Sequence, residues 1–246
     1  VMKPKGMIWV GTSGWSYTHW KGTFYPERLP STAQLDFYQQ QFNTVELNNS
    51  FYRLPDVSAF KDWADAVPGD FIFAVKASRF FTHMKKLNLT KAELKPFFTA
   101  IRKLRTKLGP VLFQLPPGWK VNTERLQYFL SILPAGYRYT FEFRNESWYV
   151  PEVYDLLSMY NSSFCWYHLA GHQSPKEDTA DFVYIRLHGP GDKYQGSYSL
   201  PNLRNWAKQC VELSNSGKDV YIYFDNDQLG YAAANAMKLR AILGEH

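Results

Sequence analysis

Eight short apolar runs, rich in β-branched and aromatic residues, recur along the chain, and each leads into polar or charged side chains. The runs cover residues 8–10, 45–48, 71–76, 111–114, 140–144, 163–168, 183–188 and 220–225. Runs of this kind are typical of buried strands in a parallel sheet, whose carboxyl ends lie on one face. We therefore expect the polar side chains at the ends of the runs to gather where the loops of that face meet.

Segments with helical spacing separate most of these runs. They cover residues 32–42, 57–66, 90–108, 122–133, 151–160, 203–214 and 229–243. The alternation of strands and helices favours an α/β fold, and eight parallel strands favour a single TIM-type (β/α) barrel over an open doubly wound sheet. No helical spacing occurs between the sixth and seventh strands. We therefore predict about seven major helices, with a loop in place of the missing one.

Local signals mark the ends of three of these helices. Asn122-Thr123-Glu124 has the composition of a helix start, and Ser216-Gly217 that of a helix end. Gly109-Pro110 is interpreted as the end of the helix over 90–108.

The composition is that of one domain spanning residues 1–246. The chain is 45% apolar and 17% aromatic, which suffices to bury a full core. No run approaches the roughly 18 apolar residues of a membrane span, and residues 1–6 lack the apolar region of a signal peptide. With only two cysteines, we expect a cytoplasmic protein without a membrane partner. The formal charge of +6 favours anionic partners, such as phosphorylated metabolites or nucleic acid.

Seven motifs follow one another at the predicted strand ends. In chain order they are Gly11-Thr12-Ser13-Gly14-Trp15-Ser16-Tyr17, Val45-Glu46-Leu47-Asn48-Asn49-Ser50-Phe51-Tyr52, Lys76-Ala77-Ser78-Arg79, Gln114-Leu115-Pro116-Pro117, Glu142-Phe143-Arg144, Tyr184-Ile185-Arg186-Leu187-His188-Gly189 and Tyr223-Phe224-Asp225-Asn226-Asp227. The series resembles the YecE-like family, the domain of unknown function numbered seventy-two. The resemblance implies a TIM-type barrel and a cytosolic microbial protein, with no established activity. It also implies an acidic residue at the end of the sixth strand, where this chain has His168. The role of His168 is therefore left open.

Charged side chains near the carboxyl ends of the predicted strands are the candidate chemistry. Charges that point inward there are costly to bury unless they are paired or used. The candidates for proton transfer are Glu142, His188, Asp225 and Glu46, and the candidates for holding an anion are Lys76, Arg79, Arg144 and Arg186. The alternative interpretation is a structural network of ion pairs in which these charges neutralise one another.

Further substrate contacts are predicted in the loops that follow the strands. These candidates are Trp15, Asn48, Tyr52, Trp148 and Tyr194, and the aromatic residues Tyr17, Trp20 and Phe51 lie in the same loops. Aromatic rings beside cations can stack on bases or sugars, and packing within the loops is the alternative. The glycine-rich segment 189–196 resembles a mobile loop over the strand ends.

A divalent metal is the less favoured alternative, and we predict no cofactor. Ligand atoms are present on Glu46, His83, Glu142, His188 and Asp225. Lysine and arginine side chains compete for the same carboxylates, and no paired His or Cys spacing typical of a metal site occurs.

Two functions from different classes follow. The first is an enzyme that binds a phosphate-bearing substrate at the carboxyl-end face and catalyses phosphodiester hydrolysis or isomerase or lyase chemistry. The second is a non-catalytic nucleic-acid-binding protein that uses a basic, aromatic rim. Neither the substrate nor the oligomeric state follows from the sequence.

Overall fold

A computed structural model describes residues 4–244 and divides them into two compact units. Unit 1 comprises the residues up to Glu46, Trp166–Ser174 and the residues from Asp181 onward. Unit 2 comprises Leu47–Cys165 and Pro175–Ala180.

The described residues form ten strands and eight α-helices. The strands are β1 (Ile8–Thr12), β2 (Thr44–Leu47), β3 (Ile72–Lys76), β4 (Leu108–Leu115), β5 (Tyr139–Phe143), β6 (Ser163–Phe164), β7 (Trp166–Leu169), β8 (His172–Gln173), β9 (Phe182–Leu187) and β10 (Asp219–Phe224). The α-helices are α1 (Gln34–Gln41), α2 (Asn49–Tyr52), α3 (Val57–Ala66), α4 (Lys91–Ile101), α5 (Thr123–Ile132), α6 (Pro151–Met159), α7 (Leu200–Asn215) and α8 (Tyr231–Gly244). Shorter helical turns cover Thr18–Trp20, Ser31–Ala33, Phe80–Met84, Arg102–Lys107 and Glu146–Trp148.

Unit 1 contains parallel strands in the order β1, β10, β9, β7. The start of β2 lies beside β1, where the chains approach so closely that a Cβ on Gly11 would meet the carbonyl oxygen of Thr44 at 2.3 Å. Ser13 and Glu46 form a parallel bridge just beyond that point. The carboxyl ends of β1, β2, β9 and β10 therefore bring their polar side chains to the same edge.

A small hairpin replaces the helix that is missing after the sixth predicted strand. β8 pairs antiparallel with β7, and the backbone N–H of Tyr167 donates to Ser174 Oγ at 2.9 Å. The prediction of no helix here is confirmed, and the connection contains a hairpin as well as a loop. The sixth predicted strand, 163–168, is itself interrupted at Cys165, which separates β6 from β7.

Unit 2 contains the parallel strands β3, β4, β5 and β6 in that order. Gln114 pairs with Glu142 in the register of β4 with β5, so both lie near the carboxyl end of the sheet. The unit's core is strongly aromatic, and Phe113 packs on Phe141 with ring centroids 5.3 Å apart. Burial of one such ring stabilises the fold by roughly 1.5–3 kcal/mol.

The helix predicted over 90–108 ends earlier than expected. Thr90 and Glu93 form a capping box at the start of α4, and the helix gives way to a tighter turn at Arg102–Lys107. Gly109-Pro110, interpreted as the stop, lies inside β4 instead. The register of β3 with β4 shifts between Phe73 and Val75, and a proline is tolerated at such an irregularity because the regular ladder of hydrogen bonds is interrupted there.

The other predicted helices agree with the structure to within three residues at each end, and Asn122 caps α5 by accepting from the backbone N–H of Arg125. Seven of the described α-helices have eight or more residues, as predicted, and α2 is an additional single turn. None of the helices formed by residues 4–244 has the length and apolar character to cross a membrane.

Candidate functional site

Four of the predicted site residues meet at the carboxyl ends of the unit 1 strands. Glu46 lies on β2, Arg186 on β9, and His188 and Asp225 directly follow β9 and β10. Glu46, Arg186 and His188 are fully buried, whereas the side chain of Asp225 retains 19% of its exposure. We call these four residues the unit 1 cluster.

Arg186 and Glu46 form a two-pronged ion pair at the centre of the unit 1 cluster. Arg186 Nη2 donates to Glu46 Oε1 at 2.7 Å, and its Nε donates to Oε2 at 2.9 Å. Nη2 also reaches Asp225 Oδ2 at 3.4 Å. The buried guanidinium is thus held by two carboxylates, and its predicted role in holding a substrate anion stays a prediction from the sequence.

Two hydroxyls complete the surroundings of the Glu46 carboxylate. Ser13 Oγ donates to Oε1 and the Tyr184 hydroxyl to Oε2, both at 2.6 Å. Burial, and then the Glu46 charge, raise the pKa of Tyr184 well above its ordinary value, so its hydroxyl stays a donor. Both carboxylate oxygens therefore accept two hydrogen bonds each. Glu46 is thus buried with all four of these hydrogen bonds made, and its catalytic role stays a prediction from the sequence.

The hydrogen bonds of His188 determine which ring nitrogen carries the proton. Nε2 lies 3.3 Å from Arg186 Nη1, and Nδ1 lies 3.0 Å from Asp225 Oδ2. Because a guanidinium can only donate, Nε2 must accept and Nδ1 must carry the proton that is donated to Asp225. The ring of Tyr194 lies edge-on to the imidazole, with centroids 5.4 Å apart. Asp225, whose side chain retains 19% of its exposure, is the most exposed member of the unit 1 cluster.

A second acidic group, not predicted from the sequence, lies beside the unit 1 cluster. Asp227 accepts from Trp20 Nε1 at 2.6 Å and pairs with His19 at 2.8 Å. Burial raises the pKa of Asp227. Burial, and then the charges of Asp225, Asp227 and Glu46, also raise the pKa of Tyr17. The sequence did contain a signal for Asp227, because Asp225 and Asp227 are two positions apart directly after the same strand.

In unit 2, Glu142 and Arg144 form an ion pair at the end of β5. Arg144 Nε donates to Glu142 Oε1, Glu142 is fully buried, and the Arg144 side chain retains 9% of its exposure. Cys165 Sγ lies 3.9 Å from Glu142 Oε2 as a weak donor. The alternation of β5 correctly predicted that Glu142 and Arg144 share a face.

Cations of unit 2 surround one histidine. Lys76 Nζ lies 4.0 Å from the centre of the Phe51 ring, and His83 packs edge-on against the same ring at 5.2 Å. Burial, and then the charges of Lys76, Arg79 and Arg144, lower the pKa of His83. His83 Nδ1 lies 2.8 Å from the Thr82 hydroxyl. We call Lys76, Arg79, Arg144 and His83 the unit 2 cation cluster.

The predicted aromatic contacts separate into buried and exposed residues. Trp148 is fully buried, donates to the carbonyl of Trp119 at 2.7 Å and stacks on Phe143, and Trp15 is also buried. Both rings pack inside the protein, and their predicted contact with a substrate stays a prediction from the sequence. Tyr52 is 75% exposed and Tyr194 is 42% exposed, so both remain available to a ligand.

The two remaining predictions concern amide and imidazole groups. Asn48 is half-buried after β2, and within residues 4–244 its Oδ1 has no hydrogen-bond partner. His168, whose role was left open, has its Nδ1 3.0 Å from the Tyr198 hydroxyl. Burial, and then His188 and His172, lower the pKa of His168.

The predicted metal alternative required several ligands close together. Among residues 4–244, no three His, Cys, Asp or Glu side chains are arranged so that they could hold a metal ion.

The chain is thus an α/β protein with parallel strands. Buried ion pairs lie at the carboxyl ends of these strands, where its candidate site residues gather. A family model described as "Protein of unknown function DUF72" matches residues 9–246, and the chain belongs to this family. The resemblance to the YecE-like family is therefore confirmed.

Two curated relatives have no activity in their names. The chain is 26% identical to the UPF0759 protein YunF of Bacillus subtilis over 274 aligned residues, which cover 96% of this chain and 95% of YunF. It is 28% identical to the UPF0759 protein YecE of Escherichia coli over 144 residues, which cover 58% of this chain and 50% of YecE.

Solved structures extend the comparison. A DUF72 family protein from Thermotoga maritima has a TM-score of 0.87 at 31% identity, covering 97% of this chain and 99% of its own. A DUF72 protein from Enterococcus faecalis has a TM-score of 0.82 at 20% identity, covering 97% and 96%. A Listeria monocytogenes protein described as a candidate vitamin-B12 independent methionine synthase has a TM-score of 0.52 at 9% identity, covering 100% and 98%. This last likeness concerns the fold alone, and such neighbours are TIM-barrel proteins.

Proposed function

We propose that the protein is an enzyme that acts on a phosphate-bearing, anionic substrate at the carboxyl ends of its parallel strands. The observation that supports this proposal is the position of Lys76 at the end of β3, where its Nζ lies 4.0 Å from the centre of the Phe51 ring against which His83 also packs. Arg144, which pairs with Glu142, follows β5 in the same unit. Positive side chains at partly buried strand ends favour an anionic ligand.

Arg144 and Lys76 are the proposed anion-holding residues. Arg144 Nε donates to Glu142, and a guanidinium carries a planar fork of donors whose geometry matches two phosphate oxygens. Lys76 contributes a compact charge whose position is fixed above Phe51. Arg79 is exposed at the start of the turn Phe80–Met84, where it can approach a ligand from solvent.

Proton transfer is assigned in this proposal to Glu142, which lies in unit 2 with the proposed anion-holding residues. Its Oε1 accepts from Arg144 Nε, and a carboxylate held in this way can take up and return a proton. Both phosphodiester hydrolysis and isomerase or lyase chemistry require such a group. His188 and Asp225, which form a hydrogen-bonded pair in unit 1, stay candidates from the sequence.

A phosphate titration combined with a substrate screen tests the proposal. We expect inorganic phosphate to bind and Lys76→Gln or Arg144→Gln to weaken that binding about 10-fold or more, because each charge-assisted hydrogen bond contributes about 1.5–3 kcal/mol. Lys120→Gln, which removes an exposed charge of the same unit, is the matched control. Glu142→Gln should abolish turnover of any phosphodiester or sugar phosphate found in the screen, while phosphate still binds.

Equal loss in Lys76→Gln and Lys120→Gln, or no phosphate binding at low salt, would contradict the anion site. Retained turnover in Glu142→Gln would contradict the assigned proton acceptor.

The alternative function is non-catalytic nucleic-acid binding at the same strand ends. It is favoured by one observation: Tyr52 is highly exposed and packs against Phe51, the ring beneath Lys76. A base could stack on Tyr52 while Lys76 contacts the backbone. Oligonucleotide binding that is lost in Tyr52→Ala, without turnover of any substrate, would support this alternative.

Closure of the eight parallel strands into one TIM-type barrel, within a single domain, belongs to the same proposal. It is supported by the likeness in fold to the Listeria monocytogenes protein, a TIM-barrel neighbour that covers 100% of the chain. A cytoplasmic location remains a prediction from the sequence.

A further inference from the structure

A basic groove runs along α4 on the surface of unit 2. Two adjacent cavities of about 470 and 510 Å³ lie there, and Thr99 and Arg102 line both. We call this surface the α4 groove. Four of its exposed cations, Lys91, Lys95, Arg102 and Lys103, are called the groove cations. Lys61 and Arg105 also line the α4 groove and pair with Asp65. None of these residues belongs to the site described above.

The cations of the α4 groove follow the helical repeat. Lys91, Lys95 and Arg102 are four and seven positions apart, which places them within about 40° of one another around the helix axis. Their separations along the axis are about 6 and 10 Å, so the row is about 16 Å long. The row thus presents positive charge along a line, as a chain of phosphates requires.

The four groove cations have no acidic partner of their own among the described residues. Within residues 4–244, no ion pair or hydrogen bond engages the side chains of the four groove cations. Glu93, the one acidic residue of α4, accepts from the backbone of Thr90 and pairs with Lys85 at 3.4 Å. The α4 groove therefore has a net positive charge.

An aromatic ring lies in the same groove. Tyr137 lines the cavity of about 470 Å³, is half-buried, and packs on Phe98 with ring centroids 5.1 Å apart. Phe98 supports the ring from below, which limits its motion. A supported, partly exposed tyrosine beside cations is the arrangement on which unpaired bases stack.

We propose that the α4 groove binds single-stranded nucleic acid. The phosphates lie along Lys91, Lys95, Arg102 and Lys103, and one base stacks on Tyr137. A row of about 16 Å accommodates about five stacked nucleotides at 3.4 Å each. The inference is independent of the proposed enzymatic function, since it uses none of its residues.

The Tyr137 ring distinguishes a single strand from two other polyanionic ligands, an acidic peptide and a nucleic-acid duplex. An acidic peptide would satisfy the cations without using Tyr137, and a duplex keeps its bases stacked on one another. A single strand is the one ligand among these that uses both the charge row and the ring.

Fluorescence anisotropy with a labelled twelve-nucleotide thymidine oligomer tests the proposal. Four phosphate contacts to a single strand predict a slope of about −2.8 in log affinity against log salt. The triple variant Lys91→Gln/Lys95→Gln/Arg102→Gln should reduce the slope to about −0.7. Tyr137→Ala should weaken binding between about 5-fold and 150-fold, and Tyr137→Phe should restore it, because phenylalanine keeps the stacking face.

The matched control is Arg204→Gln/Lys208→Gln/Lys238→Gln, which removes three exposed charges from unit 1. It should leave the slope unchanged. Circular dichroism and thermal unfolding identify any variant that fails to fold.

Four outcomes overturn the proposal. They are absence of binding at 50 mM salt, equal loss in the triple variant and its control, competition by polyglutamate as strong as that by unlabelled oligomer, and no change in Tyr137→Ala. Loss of binding in Tyr52→Ala together with normal binding by the triple variant would place the nucleic acid at the strand ends instead. Duplex binding as tight as that of the single strand would also contradict a role for Tyr137.

Discussion

At the scale of single residues, Glu46 holds the unit 1 cluster together, because its carboxylate bonds Arg186, Ser13 and Tyr184. We expect Glu46→Gln to lower the free energy of unfolding by about 3–5 kcal/mol, since the buried guanidinium of Arg186 then lacks its charge partner. Urea denaturation followed by circular dichroism measures the change. Asp65→Asn, which removes the exposed carboxylate paired with Lys61 and Arg105, should change the midpoint little. Equal midpoints for the two variants would contradict the central position of Glu46.

His83 carries a pH prediction. Its folded-state pKa lies below the ordinary value of 6.5, so near that pH the unfolded chain binds more protons than the native protein. The contribution of His83 to stability is therefore present above about pH 6.5 and decreases as the pH falls through that value. A proton NMR titration of the imidazole should show this low pKa, and Lys76→Gln should raise it.

Added phosphate should also raise the pKa of His83, because a bound anion offsets the three cations. Lys120→Gln provides the control for the NMR titration. A pKa of His83 that responds to neither Lys76→Gln nor phosphate would contradict the unit 2 cation cluster as an anion site.

Single residues also show how far the sequence could predict the site. Strand alternation placed Glu142 with Arg144 on one face. It could not show that Arg186 donates hydrogen bonds to Glu46, because that pair joins residues 140 positions apart. The burial of the aromatic residues in loops was even less predictable. Trp148 and Tyr52 both follow strands, yet one is fully buried and the other 75% exposed, because burial depends on neighbours such as Phe143 and Trp119 that the local pattern does not identify.

At the scale of elements, the approach of β1 to β2 depends on Gly11. A Cβ at this position would lie 2.3 Å from the carbonyl oxygen of Thr44, a backbone atom that cannot move without separating the strands. We expect Gly11→Ala to destabilise the protein by about 2 kcal/mol or more, measured by urea denaturation. Gly118→Ala, with nothing within 4 Å of the added atom, should change the midpoint little. A Gly11→Ala variant as stable as Gly118→Ala would contradict the close approach.

Element boundaries were predictable where the signal is local. Val57–Ala66 matches its prediction, and the start of α5 follows from the cap at Asn122. The end of α4 was misplaced because apolar residues continue with helical spacing into the turn Arg102–Lys107, where Arg105 adopts a φ of 58°. That turn depends on packing in three dimensions. The break at Cys165 between β6 and β7 likewise has no local signal.

At the scale of the whole molecule, the single predicted domain has a thermodynamic consequence. We expect one cooperative unfolding transition, in which tryptophan fluorescence and circular dichroism change together with urea concentration. The eight tryptophans are distributed along most of the chain, so fluorescence samples several parts of it. Two separate transitions would contradict the single domain. A ligand-dependent midpoint in the presence of phosphate would link this measurement to the proposed site.

The contact between Tyr194 and His188 offers a spectroscopic handle on the whole protein. The imidazole proton between Nδ1 and Asp225 is shielded by burial and by the edge of the tyrosine ring. Protons in such settings exchange with water only when the covering segment opens. We expect a far-downfield NMR resonance from this proton. Its exchange broadening should report how often segment 189–196 moves away from His188. One signal would therefore measure the rate at which solvent reaches this end of the sheet.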